Sequence, residues 1–310
     1  KVQTLCFSVP PLSGFLKSRR TYLEFRLNLT MMDMENQLPE VRIVPIEKLV
    51  PHEMEDSERT KRIEMRIRVD GALKNPVIVG KIRRDGPKLL LLDGVHRVNA
   101  LKRLGCRDVV AQVIDYRSND VKVFTWHHLI QGFEVPRLLK SIRGIKDIVL
   151  EKVDRERAEA LLKEKKIVCY FLFKNGDVFV VKCEDDLKTR TLKLRDVVDV
   201  YKRASEIYRL TKSEADFLLK ESKDAIAVLS IPVYDKREIE ELAFNGINLP
   251  AGITRHVVSK RVLGLHIDLA LLKVDMSLKS KNKILKEIIK ERIANKRARF
   301  YPESVFVFDE

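Results

Sequence analysis

Leu89-Leu90-Leu91-Leu92-Asp93-Gly94-Val95-His96-Arg97-Val98-Asn99-Ala100-Leu101-Lys102-Arg103-Leu104-Gly105 decides the fold. Four leucines running into Asp-Gly predict a short buried strand, and the spacing of Val98, Ala100, Leu101 and Leu104 predicts a helix capped at Gly105. The helix opens where the strand ends, so free backbone N–H groups and the positive end of a helix dipole fall together at Gly94, a place that attracts phosphate. His96 and Arg97 add two side-chain donors, and an arginine can clamp an anion bidentately. Asp93 needs another role, because a carboxylate beside phosphate is repelled unless a cation or proton lies between them. Support of Mg²⁺ and orientation of His96 are its two options. The plainer alternative is that Asp93 caps the helix and His96-Arg97 is its solvated first turn.

Upstream, Val41 to Ile46 alternates and then meets proline, as an edge strand does, and Glu47 to Glu53 reads as a turn into a helix over 57–69. Pro76 to Gly80 and the Arg84-Asp85-Gly86-Pro87 turn complete a hairpin with the leucine strand. Downstream, Val109 to Ile114 is a buried strand, and Val121 to Trp126 is a further strand or the approach to a helix. The second half predicts helices over 154–164, 194–208, 212–220 and 235–244, a hairpin of 167–173 with 178–183, and a strand over 225–230. The segment 277–299 is a basic helix with Ile284, Leu285, Ile288 and Ile289 on one side, suited to coating the first lobe or to a dimer contact.

The whole reads as a mixed α/β protein of two lobes, consistent with 310 residues and 45% hydrophobic content. Sixty Lys+Arg against 45 Asp+Glu give a formal net charge of +15, which favours anionic partners without choosing among nucleotides, nucleic acid and acidic surfaces. Charge of both signs at 34% with only 12 Gly and 11 Pro suits a heat-adapted protein. Cys6, Cys106, Cys169 and Cys183 are scattered and form no C-x-x-C pair, which fits a reducing cytoplasm. No apolar run reaches the roughly 18 to 20 residues that cross a bilayer, so no membrane is expected. Residues 1–37 place a basic cluster after a mildly apolar stretch, the reverse of a secretory signal, and read as a dispensable arm or as an artefact of start-site choice, since Met31, Met32 and Met34 precede the first strand.

Other residues widen the site. Glu53, in Pro51-His52-Glu53, lies where a loop could face the same cleft, and a glutamate near transferable phosphate suits a general base. Thr254-Arg255-His256, after Pro250-Ala251-Gly252, clusters in a loop a hydroxyl, a guanidinium and an imidazole that could hold a small zwitterion. Each reads alone as ordinary surface. Trp126 reads alone as core, and His127-His128 lack a third partner for a zinc site.

Ile46-Glu47-Lys48-Leu49-Val50-Pro51-His52-Glu53 together with Leu92 to Gly105 resembles the ParB/sulfiredoxin superfamily. Within it the pattern is most similar to the archaeal free serine kinases, which pair P-H-E with D-G-H-H-R-x-x-A-L-x-x-L-G. Asp115-Tyr116, Val121 to Trp126 and Thr254 to Val257 agree with that family, so the resemblance runs from about Val41 to Asp268. The sulfiredoxin branch needs a nucleophilic cysteine in the turn, where this chain has Val95. The chromosome-partitioning branch needs an arginine-rich turn and a helix-turn-helix domain, and the chain has extended runs in that place. A nucleotide-dependent DNA-binding protein stays the alternative because the chain is basic.

The resemblance implies a ParB/sulfiredoxin-like nucleotide-binding domain over 38–132, a second lobe over 133–274 and a basic helix and tail over 275–310. It implies a phosphotransferase that moves a phosphoryl group from ATP or ADP to the hydroxyl of free L-serine, giving O-phospho-L-serine for cysteine synthesis, with Mg²⁺ as cofactor and without nucleic acid or membrane. Glu53 is then the base. Asp93, Gly94, His96 and Arg97 hold the transferring phosphate and Mg²⁺, Trp126 walls the serine pocket, and Thr254, Arg255 and His256 bind the amino acid. The chain departs from the pattern at Val95, where the family has histidine, and at Ala251-Gly252-Ile253, where the family carries a basic residue.

Overall fold

A computed structural model describes residues 38–82, 86–184, 186–202, 207–301 and 305–308. The arm read over 1–37 and the Arg84-Asp85 part of the hairpin turn lie outside the described residues.

The leucine strand sits inside a five-stranded mixed sheet. Its members are β1 (Val41–Pro45), β2 (Leu49–Pro51), β4 (Val77–Lys81), β5 (Leu89–Asp93) and β6 (Asp108–Asp115), in the order β1-β6-β4-β5-β2. A two-residue strand, β3 (Ala72–Leu73), lies outside this sheet. β1 is at the edge, where Pro45 removes no needed ladder donor. The other edge corrects the sequence reading, because Leu49 to Pro51 is not a turn but a short strand parallel to β5. That pairing sets Pro51 opposite Leu91 and so brings His52 and Glu53 level with Leu92 and Asp93, beside the turn at Gly94. Helix α1 (Ser57–Asp70), capped by Asp56 accepting from the Arg59 N–H at 3.1 Å, packs against α2 (Val95–Arg103). Val77, Val79, Leu91, Ala100, Leu101 and Val110 are the centre of this core, each at most 2% exposed.

The second sheet is antiparallel throughout. β8 (His127–Gln131), β9 (Val149–Val153), β10 (Cys169–Phe173), β11 (Val178–Lys182), β12 (Ile207–Leu210) and β13 (Ala225–Ser230) lie in the order β12-β8-β13-β10-β11-β9. The expected hairpin of the second lobe is β10 with β11. The helix read over 194–208 instead runs Leu187–Lys202, and Tyr208 belongs to β12. His127 and His128 are on a strand, not a helix.

A two-stranded ribbon joins the sheets. β7 (Val121–Thr125) pairs antiparallel with β14 (Thr254–Val258), Thr125 opposite Thr254, so the Thr-Arg-His segment is a strand and not the expected loop. Its partner lies about 130 residues upstream, and the Pro250-Ala251-Gly252 approach masks the strand in the sequence. From there the chain returns to the first sheet. Ile267 pairs with Leu73, and the helix Leu278–Ala294 packs against β1, with Asn282 bonding both the N–H and the C=O of Ile43. Leu285 and Ile289 face inward as read, whereas Ile284 is 38% exposed. The basic helix is therefore a coat over the first lobe.

Candidate active site

Strand β5 ends at Asp93 and α2 begins at Val95, so Gly94 alone makes the turn, at φ +109. A Cβ at Gly94 would lie 2.6 Å from Val77 Cγ1. Both the angle and the contact demand glycine. We expect Gly94→Ala to lose about 1–3 kcal/mol of stability through this strain, read by denaturant unfolding; an unchanged midpoint would mean that the turn relaxes freely. The first N–H groups of α2 have no intrahelical partner, and Val95, His96 and Arg97 of its first turn line the cleft.

His96 is buried on that first turn, its Nδ1 3.1 Å from Thr60 Oγ1. Burial, and then the Arg59 guanidinium, push its pKa down, so the imidazole is neutral at pH 7. Thr60, not Asp93, therefore orients His96, which removes one of the two roles considered for Asp93. The Asp93 carboxylate instead meets two guanidinium groups at Oδ2, those of Arg97 at 3.2 Å and of Arg261. Burial alone would raise the Asp93 pKa, but the two arginines outweigh it and hold the group below the usual carboxylate range. Arg97 is committed as well, because its Nη1 donates to the carbonyls of Asn75 at 2.9 Å and Pro76 at 2.6 Å. It stiffens the turn more than it reaches outward.

Glu53 lines the same cleft from the end of β2. Oε2 accepts the Gly252 N–H at 2.7 Å, and Oε1 accepts the Thr254 N–H at 2.8 Å and the Thr254 hydroxyl at 2.5 Å. Four lone-pair sites less three donors leave one on Oε2. Thr254, expected to hold an amino acid directly, thus has its hydroxyl engaged by Glu53 and, at 2.7 Å, by His52 Nε2. Strand alternation splits the trio, since Arg255 lies on the other face from Thr254 and His256 and stacks its guanidinium 4.8 Å from the Trp126 ring. His256 Nε2 lies 3.2 Å from the Tyr116 hydroxyl, while its buried Nδ1 has no partner among the described residues. Burial drives the His256 pKa well below its ordinary value, and the neighbouring His52 adds to this.

All the residues singled out by sequence line one cleft of about 600 Å³: Glu53, Asp93, Gly94, His96, Arg97, Trp126, Thr254, Arg255 and His256. Sequence reasoning missed Arg59, Arg209 and Arg261, which line it too. Arg209 explains a departure noted above. Gly252, at φ +74, has no side chain, and a Cβ there would overlap the Arg209 guanidinium. A cation from β12 thus stands beside the segment that lacks the family's own. Five arginines against Glu53 and Asp93 make the cleft an anion receptor.

A divalent cation has a limited place here. Mg²⁺ is commonly held by one or two carboxylates plus substrate phosphates. Asp93 Oδ1 stands outside both ion pairs and offers one such oxygen, and no cluster of three or more His, Cys, Asp or Glu able to hold a metal occurs among the described residues. The site fits a cation carried in on phosphate rather than one caged by protein.

The fold and cleft define a mixed α/β protein with an arginine-lined cleft at a strand-turn-helix junction. No family model matches the chain. It is 25% identical over 272 residues, 87% of its length and 97% of the relative's, to the ATP-dependent L-serine kinase SbnI of Staphylococcus aureus. It is 28% identical over 219 residues, 70% and 84% of the two lengths, to an ATP-dependent L-serine kinase of Staphylothermus marinus. The ADP-dependent L-serine kinase SerK of Thermococcus kodakarensis is 24% identical over 216 residues, 69% and 86%. The structure of a free serine kinase in complex with AMP superposes with a TM-score of 0.64 at 21% identity, over 76% of this chain and 95% of that one, which shows the shared fold. The chain is thus similar to L-serine kinases over most of its length, in sequence and in fold. No helix among the described residues is long and apolar enough to cross a membrane.

Proposed function

We propose that this protein transfers a phosphoryl group from ATP or ADP to the hydroxyl of free L-serine, producing O-phospho-L-serine. The observation that carries the reading is one arginine-lined cleft holding a fixed carboxylate, Glu53, beside the strand-turn-helix junction at Gly94. The nucleotide phosphates would lie on the first-turn N–H groups of α2, with His96, Arg59, Arg209 and Arg261 around them. Mg²⁺ on those phosphates would meet Asp93 Oδ1 and neutralise charge there. Glu53 Oε2 would take the serine proton: the O–H bond breaks, its electron pair attacks phosphorus, and the P–O bond to the leaving nucleotide breaks with its pair. Trp126 with Arg255 stacked on it would wall the amino acid, and Arg255 and His256 would contact its carboxylate and ammonium groups.

The kinases similar in sequence use different donors by name, ATP in two cases and ADP in one. A donor-by-acceptor screen therefore tests the proposal. ATP and ADP are each mixed with Mg²⁺ and L-serine, threonine or homoserine, and the products are read by mass and phosphorus resonance. We expect O-phospho-L-serine with at least one donor and only with serine at high turnover. No phosphorylated amino acid with either donor would end the reading and return attention to a DNA-binding role, which a steeply salt-dependent duplex titration would reveal.

A further inference from the structure

His52, Thr254 and Glu53 form a chain whose protons can be counted. The Leu91 carbonyl only accepts, so His52 Nδ1, 2.7 Å from it, carries a hydrogen. His52 Nε2 is 2.7 Å from Thr254 Oγ1, and that hydroxyl is 2.5 Å from Glu53 Oε1. One hydroxyl has one hydrogen. If it points at Glu53, His52 Nε2 must itself donate and the ring is imidazolium. If it points at His52, Glu53 Oε1 must carry the proton. A neutral ring with a bare carboxylate leaves one of the two short contacts without any hydrogen.

The backbone decides between the closed arrangements. Glu53 Oε1 also accepts the Thr254 N–H, and Oε2 accepts the Gly252 N–H, and donors converging on a carboxylate favour its ionised form. A protonated Oε1 would be a poor acceptor for the Thr254 N–H. We propose that His52 is a positioning residue for the base: it shares one proton with Glu53 through the Thr254 hydroxyl, and as imidazolium it holds Glu53 ionised and aimed. This rests on the kinase reading for its consequence, though not for its geometry. His52 is 5% exposed, and its Nε2 lies 4.0 Å from Glu53 Oε1, so the two charges balance within a largely dry space. With Oε1 filled by two donors, the remaining lone pair on Oε2 is where the substrate proton goes.

The charged and titratable groups facing the pair are His256 on β14, His96 on α2, Arg59 on α1, Arg209 on β12 and Asp93 on β5. His256, whose ring stands edge-on to His52 at 4.9 Å, is kept neutral by burial.

The test has two arms. The first is kcat against pH for the wild type and for His52→Gln, whose amide can still donate to Thr254 but bears no charge. Loss of a positive charge beside a carboxylate raises its pKa, so the acid limb of kcat should move up by about one pH unit, with the nucleotide KM within about twofold. An acid limb at the same pH in both proteins would overturn the proposal even if kcat fell, because a merely structural histidine changes rate without moving that limb. The second arm needs no activity: nitrogen-15 resonances of His52 in the full chain should show both ring nitrogens protonated at pH 7. A singly protonated ring would overturn it. Absence of phosphoserine from the wild type would sink the kinase reading alone, since the nitrogen resonances would still decide the proton count.

Discussion

Replacing Glu53 by Gln should lower kcat by about 10²–10⁴-fold while nucleotide affinity changes by less than about twofold, the pattern expected when a base is removed and donor binding is not. The variant keeps the shape of the side chain and one carbonyl oxygen for Thr254. It cannot satisfy all three donors, because an amide nitrogen would then face either the Gly252 N–H or the Thr254 N–H. A stability loss of about 1–3 kcal/mol should accompany the rate loss. Single-turnover rates, calorimetric nucleotide titration and denaturant unfolding on the same preparation separate the two effects. Glu53 ties Gly252 and Thr254 to the end of β2, so the rival account is a latch between the lobes and nothing more. Loss of stability with an unchanged single-turnover rate would establish the latch and remove Glu53 from the chemistry.

That two-sided role shows where the sequence was readable. The turn at Asp93-Gly94 announces itself locally, since four leucines, a glycine and a helical repeat are adjacent, and the structure puts strand, turn and helix at those positions. Glu53 has no local signal of its own. Its value comes from β2, three residues too short and too proline-rich to read as a strand, which pairs with β5 and sets its end beside the turn. The three arginines that complete the cleft are less legible still. Arg59 opens a helix, Arg209 lies on an edge strand and Arg261 follows β14, and in a chain with 60 Lys+Arg none stands out. Long-range pairing alone assembles them. The same cause turned the Thr254 segment from an expected loop into a strand, and alternation along that strand then separated Arg255 from Thr254 and His256.

The return of the chain to the first lobe includes one buried ion pair, and breaking it unevenly should be costly. Lys281, on the helix Leu278–Ala294, is 1% exposed and donates to Asp108 Oδ2 at 2.6 Å, at the start of β6. Its ammonium also donates to the Leu272 carbonyl at 3.5 Å. Asp108→Ala would leave a buried cation without its counter-charge, and we expect a loss of about 3–5 kcal/mol in chemical unfolding. Charge, and not lost packing, is the stated cause, so a second change should repair the first. Adding Lys281→Met to Asp108→Ala removes the stranded ammonium and should recover most of the loss, since an apolar replacement of a buried pair is often neutral or better. If the double variant is no more stable than Asp108→Ala, the pair is not what pins the helix, and the Asn282 bonds to Ile43 with the inward Leu285 and Ile289 must hold it. A successful repair has a consequence for the cleft, because the segment the helix anchors begins just after β14 and carries Arg261 to Asp93. Asp108→Ala should then weaken nucleotide binding, and the double variant should restore it together with stability.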